Sequence, residues 1–133
     1  MKKKQVDKSR RILSAEQQLH RIEQWKLADL ERRLADLDAM QVELIEALND
    51  KNALHGLFID ATARRLSSIA EEAERVGREK EMQSLKLKEH ARRVKICERL
   101  SLAHEQDFER EKERKQLLDV VEQFVGSKRT SLP

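Results

Sequence analysis

The sequence predicts an all-α protein, a long two-helix antiparallel coiled-coil hairpin, and three observations support this prediction. Charged residues make up 40% of the 133 residues and aromatic residues only 3%, and Ala, Glu, Lys, Leu and Arg exceed half of the chain, as is typical of coiled coils. Leucines recur at alternating steps of three and four residues. Turn-forming residues gather at one place, within residues 49–57.

The first helix is predicted over residues 6–48. Its strongest signal is a heptad seam with a single polar member: Leu27, Leu30, Leu34, Leu37, Gln41, Leu44 and Leu48. An earlier apolar series has the same spacing and is expected to face the partner helix too: Ile12, Ala15, Leu19 and Ile22. The two series are out of phase, which predicts a slip in the coiled coil near Trp25.

The turn is predicted at residues 49–57. Asn49, Asp50 and Asn52 favour caps and turns, and Gly56 can adopt the left-handed conformation that ends a helix. Gly77 is the rival break, but it has no flanking turn residues, so it is interpreted as a weak point inside the second helix.

The second helix is predicted over residues 58–125, closed by Gly126 and followed by a disordered tail at 127–133. With the turn at 49–57, facing residues have numbers adding to about 106, as antiparallel pairing requires. Leu34 is then expected near Ala73, and Leu19 near Leu87. Residues from about 107 to 125 extend beyond the first helix and carry an apolar stripe, which points to an intermolecular role.

The sequence favours no catalytic, cofactor or metal site. The four histidines lack metal-ligand spacing, Cys97 is the single cysteine, and there is no glycine-rich phosphate loop. We therefore expect a protein that is not an enzyme. Without an apolar run of about 18–20 residues or a signal-peptide core, the expected location is the cytoplasm.

Net charge is +3, and the excess is concentrated in residues 2–11, where six Lys and Arg residues stand against one Asp. Interleaved charges elsewhere are typical of solvated helix faces. Two interpretations from the residues stay open beside any family assignment. The chain could be a generic homodimeric coiled-coil scaffold, or a binder of anionic surfaces or nucleic acid through its basic start.

The layout resembles a known family. A basic start leads into the Leu-rich helix 27–48, an Asn/Asp/Gly break follows, and a long second helix ends in the charged run 105–119 and the segment Val-Val-Glu-Gln-Phe at 120–124. This resembles the FliJ family of flagellar type III export stalk proteins and the related YscO-type stalks of virulence secretion systems. The resemblance does not separate the flagellar from the virulence system.

The resemblance implies a coiled-coil stalk at the inner-membrane export apparatus, with three kinds of partner: a hexameric export ATPase, a membrane export gate and export chaperones. The end with both termini would contact the ATPase ring or chaperones, and its candidate residues are Lys8, Arg11, Leu117, Val121 and Phe124. The turn-side half would contact the gate. Its candidate residues are Gln41, Leu44, Leu48 and Phe58, with Phe58 supplying the aromatic group in a chain that has no Tyr.

Overall fold

The structure, a computed structural model, describes residues 2–49 and 56–130 and consists of two α-helices. Helix α1 spans Lys2–Asn49 with 48 residues, and helix α2 spans Gly56–Thr130 with 75 residues. The two helices pack against each other, and these described ranges contain no strand. The predicted fold class, an all-α helical hairpin, is confirmed.

The helix ends differ from the predicted ones. Helix α1 begins at Lys2 rather than residue 6, and Gly56 is the first residue of α2 instead of a residue that closes α1. Residues 50–55 of the predicted turn lie outside the described residues. Gly77 lies inside α2, as predicted, since no described glycine has a positive φ.

The predicted helix end at Gly126 is wrong, because α2 continues to Thr130. A glycine costs a helix about 1 kcal/mol relative to alanine and ends it only where the backbone turns left-handed. Gly126 keeps a helical backbone. The disordered tail predicted from residue 127 is therefore helical to Thr130, and residues 131–133 lie outside the described range.

The chain divides into two compact units, and each unit contains a segment of both helices. We call residues 19–91 the loop unit and residues 1–18 with 92–133 the terminal unit.

The loop unit has an apolar core on the predicted heptad seam. Leu37, Ile69 and Val76 are buried. Four half-buried residues pack against them: Leu30, Leu34, Leu44 and Ala73. Leu34 and Ala73 lie in the same cluster, in agreement with the predicted register. Gln83 donates a hydrogen bond to Glu23, and the numbers of these two residues also add to about 106. The antiparallel pairing therefore extends beyond the apolar core.

The predicted apolar seam before Leu27 is wrong. Ile12, Leu19 and Ile22 are 43–46% exposed, Ala15 is exposed as well, and Trp25 is 72% exposed. The predicted contact of Leu19 with Leu87 therefore does not form the seam. The heptad of Leu27 instead continues backwards through a mostly polar series of buried and half-buried residues: Glu23, His20, Glu16, Leu13, Ser9 and Val6. No slip occurs near Trp25, because a continuous helix keeps the phase that its strongest apolar series sets.

The terminal unit pairs the start of α1 with the middle of α2. Val6 and Ser101 are buried there, each 4% exposed. Two surface ion pairs flank them: Arg10 Nε lies 2.8 Å from Glu105 Oε1, and Lys2 Nζ lies 3.9 Å from Glu111 Oε2. Beyond Glu111 every residue from 112 to 127 is exposed. The overhang thus begins at 112 rather than at about 107.

We expect Gly77→Ala to stabilise the protein by about 0.5–1 kcal/mol, because alanine restricts the unfolded chain at a position with helical backbone. A Cβ at Gly77 would meet no atom within 4 Å, so the substitution introduces no clash. Thermal denaturation followed by circular dichroism measures the effect. Gly126→Ala, near the end of α2, is the matched control and should raise the melting temperature less. A lower melting temperature for Gly77→Ala would contradict a continuous α2.

The corrected seam predicts that two Leu→Ala substitutions in α1 lower the free energy of unfolding by different amounts. Leu37→Ala removes a side chain that is 8% exposed and should cost about 2 kcal/mol or more. Leu19→Ala removes one that is 45% exposed and should change stability by about 0.5 kcal/mol or less. Urea denaturation of both variants makes the comparison. Equal losses would place Leu19 in the seam and restore the slip near Trp25.

Candidate interaction surface

The last part of α2 is a helix with an exposed apolar side. Six apolar side chains within residues 117–125 are 42–65% exposed: Leu117, Leu118, Val120, Val121, Phe124 and Val125. At 100° per residue, Asp119 points away from Val121, so charge and apolar surface lie on different sides of the helix. Such a surface is typical of a protein contact. Exposure of the predicted contact residues Leu117, Val121 and Phe124 is thus observed, while their partner stays a prediction.

This apolar side belongs to a longer row on α2, which we call the flank stripe. The row runs beside the seam with steps of four and three residues, and all its members are exposed: Ile96, Leu100, Ala103, Asp107, Arg110, Arg114, Leu117, Val121 and Phe124. All nine belong to the terminal unit. The row has apolar residues at both ends and charged residues in its middle.

A groove in the terminal unit, which we call the terminal groove, adjoins the flank stripe at Leu100. The groove has a volume of about 280 Å³ and is lined by Gln5, Lys8, Ser9, Ile12, Cys97, Leu100 and His104. Ile12 and Leu100 supply its exposed apolar walls, with 46% and 52% of their surface accessible. The predicted contact residue Lys8 lies in this groove, and Arg11 is exposed on α1. The structure therefore brings Lys8 close to the flank stripe.

The candidate gate residues lie in the loop unit and differ in accessibility. Phe58 is 42% exposed. Gln41, Leu44 and Leu48 are half-buried at seam positions of α1, and Leu44 packs against the apolar core. Phe58 is thus the most accessible of the four.

The loop unit also contains a buried polar pair that the sequence analysis did not find. The side-chain amide of Gln83 donates to both the carboxylate and the backbone carbonyl of Glu23, the latter at 3.0 Å. Lys26 Nζ lies 3.5 Å from the Glu23 carboxylate. The hydrogen bond from Gln83, followed by the charges of Lys26 and Lys86, outweighs burial and lowers the pKa of Glu23. The carboxylate is therefore held ionised in the seam.

A second groove, about 430 Å³, opens beside this pair and is lined by Lys26, Asp29, Leu30, Glu79, Met82, Gln83 and Lys86. Four of these seven lining residues are charged, and Leu30 and Met82 are the apolar ones. Among the described residues, no cluster of His, Cys, Asp and Glu side chains has the arrangement of a metal site. The polar pair of Glu23 and Gln83 has a structural explanation of its own, because the hydrogen bonds satisfy two groups that the heptad places in the seam.

The terminal groove does not follow from the sequence as long as Ile12 is placed in the seam. A usable signal was present. Extending the Leu27 heptad backwards puts Ile12 one residue before the seam residue Leu13, and Leu100 likewise lies one residue before the buried Ser101. In an antiparallel pair, such flanking positions of the two helices lie next to each other.

No match to this chain was found in comparisons with protein-family models, curated proteins and solved structures. Within the described parts of α1 and α2, no segment combines the length and apolarity needed to cross a bilayer.

The lowered pKa of Glu23 predicts a pH-dependent difference between the wild type and Glu23→Gln. A carboxylate whose pKa is lower in the folded state adds stability that is fully present above its unfolded pKa, about 4.3, and is lost as the pH falls through the folded value. Thermal melts from pH 7 to pH 3 should show the wild type ahead at neutral pH and the difference shrinking below about pH 4.3. Glu31→Gln, an exposed change on the same helix, is the control for general charge effects. A difference that widens with acidification would contradict the assignment.

Proposed function

We propose that this protein is a non-enzymatic stalk or adaptor of a type III protein export apparatus, flagellar or virulence-related. It couples a hexameric export ATPase to the membrane export gate and handles export chaperones. The observation that carries this proposal is the exposed end of α2, where residues 112–127 extend past the pairing with α1 and present six apolar side chains.

A stalk inside a rotary ring must be stiff and must end in a surface that the ring can hold. Two helices paired through a heptad seam supply stiffness, since bending one helix requires repacking the other. The exposed apolar side of Leu117 and Val121 supplies the contact at the ring end. Amphipathic helices of this kind bind in apolar grooves through residues spaced three and four apart.

Charge around the same end suits a contact that changes as the ring turns. Four of the residues at 110–115 are basic, namely Arg110, Lys112, Arg114 and Lys115. Exposed ion pairs contribute about 0–1 kcal/mol each, so contacts through such residues can form and break without locking the stalk in one position.

The gate contact is assigned to the loop unit. Phe58 lies there, together with Val42 and Ile45, which are 48% and 49% exposed. These three side chains offer apolar surface without opening the core around Leu37.

The ATPase contact predicts the behaviour of Leu117→Asp combined with Val121→Asp. The double variant should keep its helicity, because both side chains are exposed, and should lose binding to the purified hexameric export ATPase of the same cell. Pull-down and the rate of ATP hydrolysis with and without the protein are the two readouts. We expect the wild type to bind and to change the hydrolysis rate.

The matched control is Met82→Asp combined with Leu85→Asp, an apolar pair of the loop unit that is 72% and 66% exposed. This variant should bind the ATPase as the wild type does. A wild-type protein that neither binds the hexamer nor alters hydrolysis would overturn the proposed function. Loss of helicity in the Leu117/Val121 variant would show that these residues belong to the core.

A further inference from the structure

The flank stripe of α2 is arranged symmetrically about its central residue, Arg110. Reading outward in both directions, Asp107 corresponds to Arg114, an oppositely charged residue. Three apolar residues then follow on each side: Ala103, Leu100 and Ile96 before the centre, and Leu117, Val121 and Phe124 after it. A contact with an unrelated partner does not require this symmetry. A two-fold contact between identical surfaces does, because each residue must suit the one that the symmetry places against it.

We propose that the flank stripe is the interface of an antiparallel dimer formed with a second copy of this chain. With Arg110 on the two-fold axis, residues whose numbers add to about 220 face each other. Ile96 then lies against Phe124 of the second copy, Leu100 against its Val121, and Ala103 against its Leu117. The symmetry repeats each pair, so the interface contains six apolar contacts.

Charge complementarity fixes the register of this dimer. Asp107 of each chain faces Arg114 of the other, which gives two symmetric ion pairs between side chains that are exposed in the single chain. The two Arg110 side chains meet at the axis. Each lies one helical turn from Asp107 of its own chain, and Asp107 of the other copy lies about one turn from it across the interface. The two Asp107 carboxylates thereby offset part of the repulsion among the four guanidinium groups of Arg110 and Arg114. Asp119 points away from the interface and stays in water.

The terminal groove extends the same interface to α1. Leu100 belongs both to the flank stripe and to the wall of the groove, whose opposite wall includes Ile12. In the proposed register Val121 and Phe124 of the second copy arrive at Leu100 and Ile96, beside this groove of about 280 Å³. The contact runs from residue 96 to residue 124, about 42 Å at 1.5 Å per residue. The dimer covers apolar surface in both halves of the stripe, including the exposed end at 117–124.

The proposed dimer goes beyond the proposed function, and its test uses the chain alone. Sedimentation equilibrium at neutral pH and low salt measures the dimer dissociation constant for four proteins: the wild type, Asp107→Arg, Arg114→Asp and the double variant that carries both changes. Each single change sets like charges against each other twice and should raise the dissociation constant about tenfold or more. The double variant restores opposite charges and should return to within about threefold of the wild type.

The control for net charge is Glu109→Arg, which changes the charge as Asp107→Arg does but lies off the flank stripe. It should leave the dissociation constant within about twofold of the wild type. A wild-type chain that stays monomeric at every concentration would overturn the proposal. So would equal weakening by Glu109→Arg and Asp107→Arg, or a double variant weaker than both single variants.

A disulfide test checks the position of the axis. In a Cys97→Ser background, Arg110→Cys places one thiol per chain on the proposed axis and should give a covalent dimer on mild oxidation. Glu109 is exposed off the stripe, so Glu109→Cys in the same background should give no covalent dimer under the same conditions. Cross-linking of Glu109→Cys with no cross-linking of Arg110→Cys would place the contact on another face and overturn the assignment.

Discussion

The structure depends on one constraint, the heptad phase set by the Leu-rich seam of the loop unit. Leu37, Ile69 and Val76 bury the apolar core there, and each helix is a continuous rod that cannot rotate locally without losing its backbone hydrogen bonds. The phase chosen at this core therefore decides which residues are covered elsewhere on the same helix. On α1 it brings Glu23 into the seam and leaves Trp25 in solvent.

This constraint explains why polar groups are buried while apolar ones are exposed. Burying Glu23 removes its carboxylate from water, and the amide of Gln83 compensates by donating to it. Replacing both Glu23 and Gln83 by apolar residues would remove the need for this hydrogen bond. The presence of the pair is therefore weak evidence for a high free energy of unfolding, and its main effect is on the register of the two helices. A slip of either helix would leave the Glu23 carboxylate in the seam without its donor, which penalises the wrong pairing. Ser101 is also a polar residue buried by the heptad phase, with 4% of its surface exposed, but its small side chain removes less polar surface from water than Glu23 does.

Sequence reasoning succeeded where the signal was strong and local. The seam series from Leu27 to Leu48 and the continuity of α2 through Gly77 follow from spacing and from the absence of turn residues beside Gly77. It failed at Ile12, Leu19 and Ile22, because a flanking row has the same steps of three and four as a seam. Only the distant core decides which row faces the other helix. The exposure of Leu117 and Val121 could be predicted, because it follows from the unequal lengths of the two helices. The terminal groove could not, because its prediction needs the correct phase of both helices.

The proposed stalk contact and the proposed dimer both use Leu117 and Val121, which are exposed, so the end of α2 can take part in only one of them at a time. A chain held in the proposed dimer presents no apolar end to the proposed ring partner, so the apparent affinity for that ring equals the affinity of the monomer multiplied by the fraction of chains that are monomeric. The proposed ring partner in turn shifts the equilibrium between monomer and dimer only as far as it binds the monomer more tightly than the dimer. Covering an apolar surface until its partner arrives also limits non-specific association. The symmetric charges at Asp107 and Arg114 suit this role, because exposed ion pairs set a register while adding little to affinity and leave the dimer able to dissociate.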